Sequence, residues 1–284
     1  MAAEEKIYKP VSIFSIDPDE KLPFSVSIFF QGRYLPYRKS GEALEGQIYN
    51  RFIYKRIGQV YVSSQEFPKY SAYVRKKQED ETRLADAGGS HPSAVSMRKF
   101  HKQVSRVTQN LFLIKEPKKF AANVQEAIDV SQKVVAQVAG KPFIRVYDDV
   151  IDRSDSVISH STRVSSLSAF IAYQLGFVNP TALQNLAAAA LVHDVGKTQI
   201  ELPDDKNLTA KEEERLMRRH PKETLKMLET VPFVTDDMKR IIIEHHEYVD
   251  GSGYPNALKG KDIYGLSKVL TIVNVYDNLV SREE

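Results

Sequence analysis

The chain has 284 residues, 42% of them hydrophobic and 27% charged, which is the composition of a globular protein with a buried core. Its net charge of +3 is too small to indicate polymeric nucleic acid or a membrane surface as a partner. There is no cysteine, so disulfides and thiolate metal sites are excluded, and a bound metal would need His, Asp, Glu or Asn ligands.

The first part of the chain is rich in β-branched and aromatic residues. Segments 11–16, 24–30 and 59–64 have the composition of short strands, and residues 41–56 have the spacing of an amphipathic helix. These elements predict a small α+β domain over residues 1–85. Because no catalytic constellation falls within it, we expect a regulatory role for this domain.

Strand signals nearly vanish in the second half, and helical spacing replaces them. A helical linker over residues 86–117 is predicted to lead into an all-α domain over residues 118–284, with about five to seven helices. The segments with helical spacing are 119–138, 160–175, 180–196, 209–229, 236–246 and 265–279. The predicted fold is therefore a two-domain one, in which the α+β domain precedes a helical bundle. No stretch is apolar enough to span a bilayer, and we expect a cytoplasmic protein.

Five histidines lie on or at the ends of these predicted helices: His160, His193, His220, His245 and His246. A lone helical histidine is more often structural than a ligand. His193 and Asp194, however, directly follow the apolar run Leu186–Val192, where an imidazole and a carboxylate are costly to bury without compensation. A divalent metal is the usual compensation, and nitrogen and oxygen ligands without sulfur suit iron, manganese or zinc.

Five imidazoles with carboxylates exceed the needs of one tetrahedral ion. They fit two metal ions that share a bridging aspartate. Two ions about 3.5–4 Å apart can generate a hydroxide nucleophile and hold a phosphate during in-line attack. The chemistry that this constellation favours is therefore phosphoester hydrolysis.

Two motifs resemble those of a known family. Residues 193–197, HDVGK, resemble the HDxGK signature of HD-domain phosphohydrolases. Residues 245–255, HHEYVDGSGYP, resemble the more specific HHExxDGxGYP signature of the HD-GYP subfamily. The resemblance runs over roughly residues 140–284 and identifies the chain as an unconventional HD-GYP domain protein. It implies a cyclic di-GMP phosphodiesterase that uses a metal-bridging hydroxide and gives a linear dinucleotide or GMP.

The resemblance also implies a cofactor and partners. Two divalent ions are expected, iron in preference to manganese. The first would be held by His160, His193 and Asp194, with Asp194 bridging, and the second by His220, His245 and His246. Cyclic di-GMP is the implied ligand, and signalling proteins of the diguanylate-cyclase type are candidate partners for the GYP turn.

Further roles follow from the same motifs. The implied catalytic residues are Asp194, Lys197 and Asp277, and the implied substrate-binding residues are Lys197, Gly253, Tyr254 and Pro255. Lys197 follows His193 at the i, i+4 spacing of one helical turn, and its ammonium is expected on the scissile phosphate. Tyr254 is expected to pack near a base. Without the family match, Lys197 would be interpreted as a surface salt bridge and the GSGYP segment as an ordinary turn.

The sequence departs from the family pattern at four places. Asn274 replaces the metal-binding aspartate of the last helix, so it is the implied ligand there. Ser156 replaces a glutamate that binds a third metal in some members, so two ions are expected. The segment between Lys197 and Leu208 is shorter than usual, and the chain ends at residues 281–284, SREE, before an Arg-Pro-Tyr-Arg segment.

These departures leave three functions open. The first is cyclic di-GMP hydrolysis. The second is a weak or inactive HD-GYP domain that acts as a cyclic di-GMP receptor or a protein-interaction module. The third is an HD hydrolase for another phosphoester.

Overall fold

In the computed structural model, residues 7–87, 92–138, 156–201 and 209–281 are described. The chain divides into two compact units. The first comprises Met1–Lys99 with Ser154–Ser156, and the second comprises Phe100–Arg153 with Val157–Glu284. The predicted fold class, a small α+β domain followed by a helical domain, is confirmed.

The first unit contains a four-stranded antiparallel sheet with the strand order β1-β4-β2-β3. Its strands are β1 (Tyr8–Ser12), β2 (Val26–Phe30), β3 (Arg33–Arg38) and β4 (Gln59–Ser63). The turn between β2 and β3 consists of Gln31 and Gly32, both with positive φ (46° and 77°), as a two-residue hairpin requires. Val60 and Val62 alternate inward from β4 into the core of this unit.

One strand prediction in this unit was wrong, and one strand was missed. The predicted strand 11–16 ends at Ser12, because the Ser12 hydroxyl accepts a hydrogen bond from the Phe14 amide and starts a 3₁₀ turn over Ile13–Ser15. Strand β3 was not predicted. It lies at an edge of the sheet and carries Pro36, which central strands exclude but edge strands accept.

One helix lies between β3 and β4 in the chain, and two more follow β4 toward the second half. They are α1 (Gly46–Tyr54), α2 (Phe67–Ala87) and α3 (Pro92–Leu113). Phe52 and Ile53 of α1 are buried, as the predicted amphipathic helix requires, and α3 contains the boundary between the two units.

The described part of the second unit is helical beyond α3. Its helices are α4 (Pro117–Val138), α5 (Val157–Gln174), α6 (Pro180–Val192), α7 (Ala210–Met217), α8 (His220–Leu228), α9 (Asp236–Glu244) and α10 (Gly265–Val280). Helix α6 packs against α4, α5 and α9, and every residue from Asn185 to Val192 is buried. Pro180 at its first turn and the Asn179 side chain, which accepts from the Thr181 and Ala182 amides, fix where it begins.

The single helix predicted over residues 209–229 is two helices in the structure, so that prediction was wrong. Helix α7 ends at Met217 and α8 begins at His220. Pro221 cannot donate the helical hydrogen bond to the Met217 carbonyl four residues before it, so the helix cannot continue through this point. None of the described helices is both long and apolar enough to cross a membrane.

Candidate metal centre

The five histidines and Asp194 converge in the helical unit. Neighbouring imidazole centroids lie 4.1 to 5.4 Å apart. The side chains form two groups, and within each group the potential ligand atoms lie within 4.8 Å of one another. The first group is His160, His193 and Asp194, and the second is His220, His245 and His246. These are the two ligand groups that the sequence predicts.

Three of the imidazoles are held at helix C-termini. Nδ1 of His193 lies 2.7 Å from the Ala190 carbonyl oxygen, and Nδ1 of His245 lies 2.6 Å from that of Ile242. Nδ1 of His220 lies 2.7 Å from the carbonyl oxygen three residues before it, at the end of α7. The last carbonyls of a helix have no partner within the helix, and a carbonyl only accepts, so each Nδ1 carries the proton. Each Nε2 is therefore the atom left to bind a metal.

Pro221 contributes to this arrangement at His220. In an uninterrupted helix the amide of residue 221 would occupy the Met217 carbonyl. Because proline has no amide hydrogen, that carbonyl is available to the His220 ring instead. The residue that breaks the predicted helix is thus the residue that lets His220 be oriented.

His160 is oriented by a carboxylate. Its Nδ1 lies 2.7 Å from Oδ2 of Asp277, and Arg163 binds the same carboxylate through two nitrogens at 2.7 and 2.9 Å. Burial opposes ionisation of Asp277, but these bonds from His160 and Arg163 hold its pKa below the ordinary value. The carboxylate is therefore charged and fixes the His160 ring with Nε2 toward Asp194. A catalytic role for Asp277 stays a prediction.

Asp194 lies between the two groups. Its Oδ1 is 3.5 Å from Nε2 of His193 and 3.1 Å from Nε2 of His220, and its Oδ2 is 3.9 Å from Nε2 of His160. One carboxylate thus contacts imidazoles of both groups, which is the position that a bridging ligand needs. Burial opposes its ionisation, but the adjacent Lys197 ammonium helps to hold the pKa of Asp194 well below the ordinary value.

Lys197 is placed differently from the prediction. Residues Val195–Gln199 form a 3₁₀ segment, so Lys197 does not continue the helical face of His193. Its Nζ lies 2.5 Å from Oδ2 of Asp194, where it neutralises the carboxylate. The ammonium therefore stays at the centre through a contact to Asp194, and its contact with a phosphate stays a prediction.

The donor set fits divalent cations. Nε2 of His220 and Nε2 of His245 lie 3.1 Å apart, a separation at which a proton or a cation must lie between the two nitrogens. Nε2 of His193 is completely buried and has no hydrogen-bond partner. Several buried hydrogen-bond acceptors this close to one another are unfavourable unless a cation lies among them. Nitrogen and oxygen donors without sulfur suit iron, manganese or zinc.

The imidazoles of His193, His245 and His246 are also neutral near pH 7, as metal ligands must be. Burial lowers the pKa of His193 to about 4. Burial first, and the neighbouring imidazoles second, hold the pKa values of His245 and His246 well below their ordinary range. Protons therefore compete weakly with a metal for these nitrogens.

The GSGYP segment folds back onto the histidine pair. The Tyr254 amide donates to the His246 carbonyl at 3.0 Å, and the Tyr254 ring stacks on the His246 ring with centroids 4.5 Å apart. The buried Glu247 carboxylate accepts from the amides of Asn256 (2.6 Å) and Leu258 (2.9 Å). The turn thus acts on His246, whereas the predicted packing of Tyr254 near a base stays a prediction.

Asn274 is buried in α10, and the Asn278 side chain donates to its amide oxygen at 3.2 Å. Its role as a ligand therefore stays a prediction. The segment between Lys197 and Leu208 lies partly outside the described residues. Residues 282–284 lie wholly outside them.

Sequence reasoning gave no role to Arg163, Thr224 or Glu247. Only Glu247 carried a signal, as the acid that follows the histidine pair.

Comparisons with known proteins agree with this geometry. A family model described as HD domain matches residues 145–284. The chain is 29% identical over 164 residues to cyclic di-GMP phosphodiesterase PA4108 of Pseudomonas aeruginosa, which covers 57% of this chain and 39% of that protein. It is 29% identical over 141 residues to 3'3'-cGAMP-specific phosphodiesterase 3 of Vibrio cholerae, covering 48% and 30%. The chain thus spans less than half the length of these curated relatives.

One solved structure is similar along nearly the whole chain. It is described as Bd1817, a HDG"Y"P protein from Bdellovibrio bacteriovorus, and the match covers 97% of this chain and 89% of that one. The TM-score is 0.58 and the sequence identity 22%, so this likeness concerns the fold alone.

Replacement of Gly253 by alanine tests the fold of the turn. A Cβ at this position would collide with backbone atoms of His246, Glu247 and Tyr248, none of which can rotate away. We expect Gly253→Ala to lower the free energy of unfolding by about 1–3 kcal/mol in urea titrations. Gly260→Ala is the matched control, because its Cβ would meet only the Val249 carbonyl at 3.7 Å. Equal stability of the two variants would contradict this packing.

The buried imidazoles predict a pH-dependent stability of the metal-free protein. An unfolded histidine titrates near 6.5, whereas His193 in the fold has a pKa of about 4, so the unfolded chain binds more protons between these values. Stability therefore falls as the pH falls from about 6.5 to about 4, by up to about 1.4 kcal/mol per pH unit for each imidazole whose pKa is lowered in the fold. Urea titrations with a chelator measure this.

A variant with one imidazole fewer provides the control. His245→Asn should show a shallower decline of the unfolding free energy with falling pH, because one proton-binding site is lost from the unfolded chain. A parental slope that is flat, or that rises toward acid pH, would show that these rings are not buried in their neutral form.

Proposed function

Because the chain is an HD-GYP domain protein, we propose that it is a metal-dependent phosphodiesterase that hydrolyses cyclic di-GMP to a linear dinucleotide or GMP. The observation that carries the proposal is the position of Asp194, whose carboxylate contacts imidazoles of both ligand groups while Lys197 lies against it. Phosphoester hydrolysis is the chemistry for which such paired groups are suited.

The metal ligands follow from the two groups. His160, His193 and Asp194 would hold one divalent ion, and His220, His245 and His246 the other, with iron proposed in preference to manganese. Bound divalent ions supply Lewis-acid charge and an activated water for in-line attack on phosphorus. The protein keeps the imidazoles of His193, His245 and His246 neutral, and it orients the rings of His193, His220 and His245 so that Nε2 is the nitrogen available to a metal.

Lys197 contributes a positive charge that does not depend on metal. Its ammonium lies at the Asp194 carboxylate, at the edge of the ligand groups. A phosphate drawn to the centre would meet this ammonium, which can stabilise the charge that develops on the phosphoryl oxygens. Gly253, Tyr254 and Pro255 would form the wall beside it, since the Tyr254 ring stacks on the His246 ligand.

The substrate class rests on the relatives. One is named for cyclic di-GMP and another for 3'3'-cGAMP, and both molecules are cyclic dinucleotides with two phosphodiester bonds. We favour cyclic di-GMP, and a direct comparison of the two substrates decides between them. The N-terminal unit would be regulatory, signalling proteins of the diguanylate-cyclase type would contact the GYP turn, and the protein would act in the cytoplasm.

A receptor or interaction module without turnover is the second candidate. Asn274 favours it, because an amide in place of a carboxylate carries no charge, and its oxygen already accepts a hydrogen bond from Asn278. In this case the helical domain would bind cyclic di-GMP without cleaving it.

The first experiment separates metal binding from catalysis. The parental protein, loaded with iron under anaerobic, reducing conditions, is expected to convert cyclic di-GMP to the linear product. Asp194→Asn should lose both metal and activity, because it removes the shared carboxylate. Lys197→Met should keep its metal and lose activity by about 100-fold or more, as expected for removal of a charge that stabilises the transition state.

Lys226→Met is the matched control, since it removes a lysine of α8 outside the ligand groups. No product from the metal-loaded parental protein, with cyclic di-GMP or with cGAMP, would reject the phosphodiesterase. Calorimetric binding of cyclic di-GMP without cleavage would support the receptor instead. Cleavage of only other phosphodiesters would indicate a different hydrolase.

Asn274→Asp tests whether the missing charge limits the centre. A carboxylate at this position should tighten binding of divalent ions to the first ligand group and raise the rate of hydrolysis. Metal titrations and product assays measure both effects. Asn179→Asp is the control, because it adds the same charge at a helix N-cap, where aspartate is equally accepted. Unchanged affinity and rate in Asn274→Asp would show that Asn274 lies outside the metal centre.

A further inference from the structure

One buried hydroxyl joins the segment that carries His193 and Asp194 of the first ligand group to the helix that carries His220. Thr224 is 0% exposed. Its Oγ1 donates to the His193 carbonyl at 2.9 Å and accepts from the Gly196 amide at 2.9 Å. Both the donor and the acceptor capacity of the hydroxyl are therefore used, and both contacts are to backbone atoms that neighbour Asp194.

The positions of these contacts connect the two ligand groups. His193 and Gly196 enclose Asp194 in the sequence, so the hydroxyl holds the backbone on both sides of the shared carboxylate. Thr224 itself lies one helical turn after His220 on α8. The bonds thus run from the backbone of the first group to the helix that presents a ligand of the second.

Gly196 allows this contact to be as short as it is. A Cβ at residue 196 would collide with the His220 carbonyl oxygen, the Thr224 amide and, at 2.6 Å, the Thr224 hydroxyl. The turn and the start of α8 therefore meet backbone against backbone. The two hydrogen bonds of the Thr224 hydroxyl add to this backbone contact between the turn and α8.

The distance from Asp194 to His220 follows from this docking. Oδ1 of Asp194 and Nε2 of His220 lie 3.1 Å apart, and each belongs to one of the two joined segments. A pair of ions in one catalytic site is held about 3.5–4 Å apart, so a small shift of α8 changes whether one carboxylate can serve both.

We propose that Thr224 is a positioning residue that sets the spacing between the two ligand groups and thereby determines uptake of the second ion. It touches neither substrate nor metal and acts through Asp194 and His220. This inference rests on the proposed function, because it assumes that both groups bind metal. It does not depend on which phosphodiester is cleaved.

The test compares two replacements of similar size. Thr224→Val keeps the shape and removes both hydrogen bonds, whereas Thr224→Ser keeps the hydroxyl and removes a methyl group. Each protein is titrated with manganese. The bound ions per chain are counted, and electron paramagnetic resonance detects magnetic coupling between neighbouring ions. Coupling responds to the distance between ions, which a change in stability alone does not alter.

We expect the parental protein and Thr224→Ser to bind two coupled ions. Thr224→Val should bind the second ion about 10–100-fold more weakly, the effect typical of losing a group that orients metal ligands, and its coupling signal should disappear. If Thr224→Val does not fold, Thr224→Ala is measured in its place, because it removes the same hydroxyl without placing a methyl group against the backbone.

The remaining outcomes separate the two proposals. Two coupled ions in Thr224→Val or Thr224→Ala, with parental affinity, would overturn the role of Thr224 and leave the proposed function standing. Two coupled ions in the parental protein without phosphodiester cleavage would overturn the phosphodiesterase and leave Thr224 to be judged by its variants. A parental protein that takes up no metal would overturn both.

Discussion

The structure depends on one electrostatic constraint, the burial of many hydrogen-bond acceptors around Asp194. Each Nδ1 of His193, His220 and His245 is used by a carbonyl at a helix C-terminus, so the Nε2 atoms point inward. With the Asp194 carboxylate among them, these atoms repel one another unless positive charge lies between them. Lys197 supplies one such charge, and divalent ions would supply the rest. Helix C-termini add to this preference, because their partial negative charge favours cations.

The surrounding elements of the fold hold these side chains in their orientations. Helix α6 is buried along its second half, and His193 and Asp194 directly follow its last residue. Pro221 interrupts the chain so that a free carbonyl orients His220, and Asp277 with Arg163 orients His160 from the other side. The turn after the histidine pair serves the same purpose, since Glu247 holds its backbone. Residues that resemble loop-forming or packing residues in the sequence therefore act by fixing ligand orientation.

The sequence predicted the parts of this arrangement that depend on local pattern. Helical spacing located α4, α5, α6, α9 and α10, and the motifs identified both ligand groups. It did not predict the edge strand β3, whose pairing depends on a partner strand, or the break between α7 and α8, where Pro221 overrides the periodicity. Lys197 was misplaced because the α-helix ends before it and a tighter 3₁₀ turn follows.

The contacts that sequence reasoning missed are those between distant segments. The Thr224 hydroxyl reaches partners 28 and 31 residues away, and Arg163 reaches a carboxylate 114 residues away. Neither residue type signals such a contact, because threonine is a common helix residue and arginine is most often exposed. Only the packing of α8 against the 3₁₀ turn, and of α10 against α5, gives these side chains their roles.

The central claim is that inward-facing imidazole nitrogens and one carboxylate form a paired cation site. Diffraction from crystals soaked in ferrous iron, recorded at the iron absorption edge, tests it most directly. We predict two anomalous peaks about 3.5–4 Å apart, with Asp194 reaching both and each imidazole bound through Nε2. Peaks elsewhere on the surface, or rings rotated so that Nδ1 faces the site, would contradict it.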